Sequence, residues 1–223
     1  MFPPDEYPRL FKRAYSPAEL VADAVVHGVA IVAGVIAFAL LFARIALHGG
    51  MGDALAVAVY ALGFFLLFGF SCAYNLTPPS QLKFLLRRLD QAAIFVMISG
   101  TYTAILSQAP NGVTTWTLAA IIWTGSLAGA TFKILCPGRF DRATIGVYLA
   151  LGWAGITAIG PLSETLPPQS LILIFVGGLF YSVGVLFHLW NGLKFQCAIW
   201  HGFVTVAAAC QYAGIAEAFG RDF

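Results

Sequence analysis

Seven long apolar runs alternate with short polar stretches along the chain. They occupy residues 24–47, 54–76, 91–109, 113–135, 143–161, 169–190 and 197–216. Each run is close to the roughly 20 residues that an α-helix needs to cross the hydrocarbon core of a bilayer. An α-helix satisfies its own backbone polar groups, which lipid cannot do, so the runs are expected to be helical. The pattern therefore predicts an all-α membrane protein, a seven-transmembrane helix bundle.

The residues between the runs support these boundaries. Four joints contain proline, in two cases with glycine: Pro78-Pro79, Pro110-Asn111-Gly112, Pro137-Gly138 and Pro167-Pro168. Proline lacks a backbone N–H and glycine permits unusual backbone angles, so both favour helix ends. The third and fifth runs are shorter or richer in glycine than the others. We expect a cytoplasmic N-terminal segment at 1–20, the bundle over 21–217 and a short C-terminal tail at 218–223.

Composition agrees with a membrane protein and excludes most other classes. Hydrophobic residues make up 60% of the chain and charged residues only 10%, which is far from the soluble average. The net charge of +2 gives no reason to expect nucleic acid, so membrane lipids are the expected partners. The stretch from Met1 to Tyr15 is polar and does not resemble a signal peptide, so the first span is expected to remain in the mature protein. That stretch is either a short interfacial segment or a flexible tail.

The positive charges predict the orientation of the bundle. Lys and Arg collect in cytoplasmic loops, and here ten of them fall on one side of the predicted spans and two on the other. The ten are Arg9, Lys12, Arg13, Lys83, Arg87, Arg88, Lys133, Arg139, Arg142 and Lys194; the two are Arg44 and Arg221. The N-terminus is therefore predicted to be cytoplasmic and, with seven spans, the C-terminus outside.

Polar and ionisable residues gather at the cytoplasmic ends of four spans. They are Glu19, Asp23 and His27 in span 1, Ser71 and Asn75 in span 2, Asp90 in span 3, and Cys197 and His201 in span 7. Within spans 1, 2 and 7 they are four residues apart and so share one helix face. If these faces point inward, they form a polar pocket in the cytoplasmic half of the bundle. The alternative is that each group only bonds a neighbouring helix or reaches the interface.

Cysteine and histidine at this end also suggest a metal. Cys197 and His201 have the i, i+4 spacing of two metal ligands on one helical turn, and thiolate with imidazole suits zinc. Taken alone this motif is weak. Cysteines 72, 136, 197 and 210 lie in a helix or at a cytoplasmic helix end, so they are expected to be free thiols.

Several of these motifs, in order along nearly the whole chain, resemble the hemolysin III branch of the progestin and adiponectin receptor family. The matching runs are Ser71-Cys-Ala-Tyr74-Asn75, Leu86-Arg-Arg-Leu-Asp90, Ile98-Ser-Gly-Thr-Tyr102-Thr103, Gly177-Gly-Leu-Phe-Tyr181-Ser-Val-Gly184 and Cys197-Ala-Ile-Trp200-His201-Gly-Phe203-Val204. The resemblance implies seven helices with the N-terminus inside, a zinc ion near the cytoplasmic leaflet and a place in a bacterial inner membrane. Glu19, Asp23 and His27 fit the motif with which the family's first span begins. The resemblance assigns no role to these three residues.

The resemblance also implies which residues form the zinc site. In the family, Ser-x3-His in span 2 and His-x3-His in span 7 supply the zinc histidines, and an Asp in span 3 holds a water. Ser71, Asp90 and His201 match, whereas Asn75 and Cys197 stand where two histidines are expected. An Asn oxygen suits calcium or magnesium better than zinc. The candidate ligands are Asn75, Cys197 and His201, with Cys72 as a substitute for Asn75, and binding of another metal or of none stays open.

The sequence leaves several functions open. The first is that of a membrane protein that maintains or senses the state of lipids or of the membrane. The second is a zinc-dependent hydrolase of a lipid amide or ester, with Asp90 as general base and Ser71 orienting by hydrogen bond. Lysis, after which the family is named, is a further alternative as an indirect effect of membrane perturbation. Transport is disfavoured, because ionisable groups cluster at one face instead of spanning the membrane depth. Small-residue faces such as Gly125-x3-Gly129 could pack helices within the bundle or in a homo-oligomer.

Overall fold

The computed structural model describes residues 15–220, and this part of the chain is helical without strands. Eight α-helices follow one another: α1 Pro17–His48, α2 Met51–Leu76, α3 Gln81–Leu106, α4 Val113–Leu135, α5 Asp141–Trp153, α6 Ile159–Thr165, α7 Pro168–Leu189 and α8 Gln196–Ala218. A short 3₁₀ helix, Ala154–Ala158, joins α5 to α6. The predicted N-terminal segment and C-terminal tail fall largely or partly outside the described residues, as do Arg9, Lys12, Arg13 and Arg221.

Six segments are long and apolar enough to cross a membrane by length and composition. They are α1, α2, α3, α4, the unit Asp141–Thr165 and α7. Helix α8 has 23 residues but is more polar, with Gln196, His201 and Gln211 on its buried side, and it is not one of the six. It nevertheless packs against α7 and α1 as part of the same bundle. The prediction of transmembrane helices is confirmed, whereas the count of seven spans and the sides of the termini stay predictions.

Helix α1 shows how a membrane helix divides its surface. Its buried residues recur every three or four positions: Glu19, Asp23, His27, Ala30, Gly34, Phe38, Leu41 and Ile45. On the other faces, valines such as Val21, Val25 and Val29 are about 60% exposed, at 63%, 58% and 60%. Apolar side chains can remain exposed in this way because lipid solvates them. The helix therefore buries its polar residues at one end and apolar residues along the rest of the same face, while its exposed faces are apolar, unlike those of a soluble surface helix.

The start of α1 is fixed by Glu19, whose role the sequence left open. Ser16 and Glu19 form a capping box, in which the Glu19 N–H donates to Ser16 Oγ and the Ser16 N–H donates to Glu19 Oε2. The other carboxylate oxygen, Oε1, accepts the backbone N–H of Phe195 at 3.0 Å, just before α8. Phe195 has a left-handed backbone with φ of 59°. Glu19 thus joins the first turn of α1 to the first turn of α8.

The fifth predicted span is interrupted because a side chain enters its backbone. The Tyr102 hydroxyl, from α3, donates to the Gly152 carbonyl at 2.9 Å and accepts the Gly155 N–H at 2.6 Å. A side chain inserted into the helical hydrogen-bond ladder is a usual cause of a local break. Pro161 follows and cannot donate to the ladder at all. The segment therefore changes from α to 3₁₀ between Trp153 and Ile159.

Basic residues at the predicted cytoplasmic end are partly used to hold three helices together. Asp141, at the start of α5, lies 2.7 Å from both the Lys133 ammonium of α4 and the Arg87 guanidinium of α3. Lys133 is only 1% exposed, so its charge depends on this carboxylate and on the Arg139 carbonyl. The ion pairs tie α3, α4 and α5 at one end of the bundle.

Glycines let helices approach closely inside the bundle. A Cβ on Gly63 of α2 would lie 2.9 Å from Met97 Cα, and one on Gly100 of α3 would lie 2.8 Å from the Val59 carbonyl oxygen. The glycines singled out in the sequence behave alike: Gly125 faces Leu151, and Gly178 faces Trp153. These glycines serve packing within the chain.

Replacing Gly63 by alanine is expected to lower the free energy of unfolding by about 1–3 kcal/mol, the usual cost of overpacking. The new methyl group would meet the backbone of Met97 and Val96, which cannot rotate away. Thermal unfolding in detergent measures the effect. The matched control is Gly69→Ala on the same helix, where nothing lies within 4 Å of the added Cβ. Equal stability of the two variants would contradict the close packing of α2 on α3.

Candidate metal centre

Three helices bring one polar side chain each to a single point in the bundle. His201 of α8 lies between Asp23 of α1 and Ser71 of α2: its Nδ1 is 2.6 Å from Asp23 Oδ1, and its Nε2 is 3.2 Å from Ser71 Oγ. The exposed fractions are 7% for His201, 2% for Asp23 and 5% for Ser71. The inward polar faces predicted from the i, i+4 spacing therefore meet. We call this group, with Cys197 and His27, the polar centre.

The partners of His201 fix its tautomer. A carboxylate can only accept, so the ring donates from Nδ1 to Asp23 and leaves an acceptor lone pair at Nε2. The lone pair at Nε2 faces the Ser71 hydroxyl and points away from the carboxylate. An ion bound by both Asp23 and His201 would therefore take the place of the proton between Nδ1 and Asp23 Oδ1. Asp23 and Ser71 together hold the His201 ring in one orientation.

Cys197 completes a group of donors suited to a metal. The ligand atoms of Asp23, Cys197 and His201 all lie within 4.8 Å of one another. Zinc bonds of about 2.0–2.3 Å place ligand atoms roughly 3–4 Å apart, so a modest contraction would suffice. Oxygen, sulfur and imidazole nitrogen are all regular zinc ligands. Asp23 Oδ2 is also buried without a hydrogen-bond partner in the described residues, as expected of an atom that faces a cation. The donor set therefore fits zinc.

The predicted span 2 ligand, Asn75, lies next to this group. Its Oδ1 is 3.6 Å from Cys197 Sγ, and its Nδ2 donates to the Ser71 carbonyl at 2.9 Å. Asn75 is thus close to Cys197, and its amide is engaged in hydrogen bonds, so its role as a ligand stays a prediction. Cys72, the proposed substitute, is not one of the three clustered residues.

Asp23 is the donor that the sequence analysis did not propose as a ligand. Its position in the polar stripe of α1, four residues from Glu19 and from His27, was the available signal. The family resemblance pointed to spans 2 and 7 instead. The structure adds α1 because the Asp23 carboxylate reaches His201 across the bundle.

Asp90, the predicted general base, lies beside the polar centre. This residue of α3 is partly buried, and its carboxyl interacts with the Ser71 hydroxyl and with the charges of His201 and Asp23. The Ser71 hydroxyl lies 3.2 Å from His201 Nε2, and the Asp90 carboxyl is near both residues. The five site residues proposed from the sequence are gathered at one place: Ser71, Asn75, Asp90, Cys197 and His201.

Comparison with known proteins gives a consistent family. A family model described as "Haemolysin-III related" matches residues 18–212, which include the whole polar centre. "Hemolysin-3" of Bacillus cereus is 38% identical over 194 residues, covering 87% of this chain and 89% of that protein. "Hemolysin-3 homolog" of Bacillus subtilis (strain 168) is 34% identical over 87% of this chain and 91% of its own length. The "Monocyte to macrophage differentiation factor" of Homo sapiens is 26% identical over 211 residues, with 90% and 85% covered.

Proposed function

The chain belongs to the haemolysin-III related family of membrane proteins, and from this premise we propose that it acts in lipid or membrane homeostasis through a zinc-binding polar centre. One observation carries the proposal: the ligand atoms of Asp23, Cys197 and His201 lie within 4.8 Å of one another. Ionisable groups inside a membrane protein are costly and mark functional sites by default. The free-energy cost of burying a carboxylate, a thiol and an imidazole together is lowest when all three bind one cation.

The way α1 is placed supports a role in sensing the state of the membrane. This helix holds Asp23 on its buried face, while valines such as Val25 and Val29 are exposed to the surroundings of the bundle. Changes in lipid packing act on that apolar face. A shift of α1 relative to α8 would change the separation of Asp23 and His201, and with it the affinity for a metal. Lipid state and metal occupancy are coupled by linkage in such an arrangement.

The metal content of the purified chain tests the centre. Elemental analysis in detergent is expected to find about one zinc per chain, because three protein donors are present within reach of one ion. Asp23→Ala, Cys197→Ala and His201→Ala are each expected to lose the metal. Cys210→Ala is the matched control, since it removes a thiol from the same helix as Cys197 without touching the centre. A parent protein without bound metal, or full occupancy in all four variants, would refute the proposal.

A zinc-dependent hydrolase of a lipid amide or ester is the second candidate. The observation in its favour is that Ser71 Oγ lies 3.2 Å from His201 Nε2, with the Asp90 carboxyl near both residues. Zinc would supply a Lewis acid that polarises a carbonyl and acidifies water. Asp90 would accept the proton of the attacking water, and Ser71 would hold both groups in position by its hydroxyl. The relatives' names also raise lysis, which we rank below both candidates because no feature of residues 15–220 favours it.

Hydrolysis is tested with fluorescent lipid amides and esters in mixed micelles, using the zinc-loaded chain. If this candidate holds, Asp90→Asn reduces the rate by about 100-fold or more, since general bases contribute this much. Asp53→Asn is the control, because Asp53 is a carboxylate near the far end of the bundle, where it accepts from Gln108 and the Gly50 N–H. Absence of turnover by the parent, or an equal rate in both variants, excludes the hydrolase.

We further propose that the polar centre faces the cytoplasmic leaflet of a bacterial inner membrane, with the N-terminus inside and the C-terminus outside. The uneven distribution of Lys and Arg supports this orientation. Two fusions to the C-terminus test this orientation. A phosphatase that folds only outside the cytoplasm is expected to be active there, and a fluorescent protein that folds only inside the cytoplasm is expected to be dark. The reverse pattern would place the C-terminus in the cytoplasm and contradict the proposed topology.

A further inference from the structure

A second imidazole lies in the polar centre and has no role in the metal site described so far. His27 of α1 is fully buried, with 0% of its surface exposed. Its Nδ1 is 2.9 Å from the backbone oxygen of Asp23. A carbonyl oxygen can only accept, so Nδ1 carries the hydrogen and Nε2 of the neutral ring is left as an acceptor. The hydrogen bond thus fixes the tautomer as it does in metal-binding histidines.

The Nε2 atom of His27 is buried without a hydrogen-bond partner among the described residues. Asp23 Oδ2 is in the same situation, and it lies 3.6 Å from His27 Nδ1. A buried acceptor that lacks a donor is costly, and native structures contain few of them. Both acceptors lie within one helical turn of α1, and a cation bound near them would offset the cost of leaving them without donors.

The surroundings of His27 agree with a place beside the metal. Its ring centroid is 4.4 Å from that of His201, in a T-shaped arrangement, and 6.3 Å from that of Phe68. His27 is outside the group whose ligand atoms all lie within 4.8 Å of one another, but it adjoins two of its three members. Coordination by Nε2 requires the His27 ring to turn toward an ion held by that group. Phe68 shields the other side from water.

We propose that His27 Nε2 is the fourth zinc ligand, so that α1 supplies two of the four donors with Asp23, and α8 supplies Cys197 and His201. This inference rests on the proposed zinc centre and deepens it. Helix α1 then compensates for the histidine that Asn75 replaces on α2. A zinc ion with four protein ligands has no open position for water, which is the hallmark of structural rather than catalytic sites. The arrangement therefore favours a homeostatic or sensing role over hydrolysis.

The decisive variant is His27→Asn, compared with the parent and with Cys210→Ala. An Asn side chain keeps a donor near the place of Nδ1, so the bond to the Asp23 carbonyl can persist, but it has no counterpart of Nε2. Zinc affinity, measured by competition with a chelator, is expected to fall by more than about 100-fold, beyond the 10–100-fold loss of groups that only orient a ligand. Thermal unfolding in excess chelator is expected to be nearly the same for parent and variant.

A measurement on the parent protein does not depend on any variant. Loaded with Co²⁺ in place of zinc, the parent is expected to show a four-coordinate spectrum that added azide does not change. The Co²⁺ spectrum of His27→Asn is expected to shift and to respond to azide, because a position has opened. A parent spectrum that responds to azide would overturn the closed site and favour the hydrolase.

The outcomes separate this inference from the proposed function. A parent that binds neither zinc nor Co²⁺ refutes both. A parent that binds zinc, with His27→Asn binding it equally well and with an unchanged Co²⁺ spectrum, refutes the role of His27 and leaves the zinc centre in place. A large loss of affinity together with a changed spectrum supports His27 as a ligand.

Discussion

The contact between Asp23 and His201 is the interaction on which the rest of the polar centre depends. It joins α1 to α8, the first and last helices of the described residues. The two side chains are 178 residues apart in sequence, and His201 Nδ1 lies 2.6 Å from Asp23 Oδ1. Inside a membrane protein neither group can turn to bulk water, so each needs the other. Removing one partner of a buried pair is far more damaging than replacing both. The pair therefore fixes how α1 and α8 rotate against each other.

Other contacts hold this joint in register. Glu19 begins α1 with a capping box and at the same time accepts the backbone N–H of Phe195, directly before α8. The close approach of α2 to α3 at Gly63 and Gly100 sets the depth of both helices in the bundle. Sites carried on packed helices are positioned more precisely than sites on loops. The polar centre is thus supported by backbone contacts on both sides.

The departures from the family pattern have a physical counterpart in the structure. Asn75, which stands where a histidine is expected, uses its amide to bond the Ser71 carbonyl and to face Cys197. The carboxylate that joins the donor group comes instead from α1, through Asp23. Two residues of α1 have buried acceptor atoms without partners in the described part of the chain, and both lie at this point. In the proposed centre, donors on α1 take the place of the histidine that is missing from α2.

Local pattern was enough to predict the helices, the inward polar stripes and the family, because hydrophobicity and the i, i+4 period act within one helix. It could not reveal that Asp23 meets His201, since that depends on how distant helices pack and rotate. Nor could it foresee that the Tyr102 hydroxyl enters the backbone of another segment at Gly152 and converts it to 3₁₀. Both are contacts between helices, whose geometry is decided by tertiary packing and not by the order of residues along either helix.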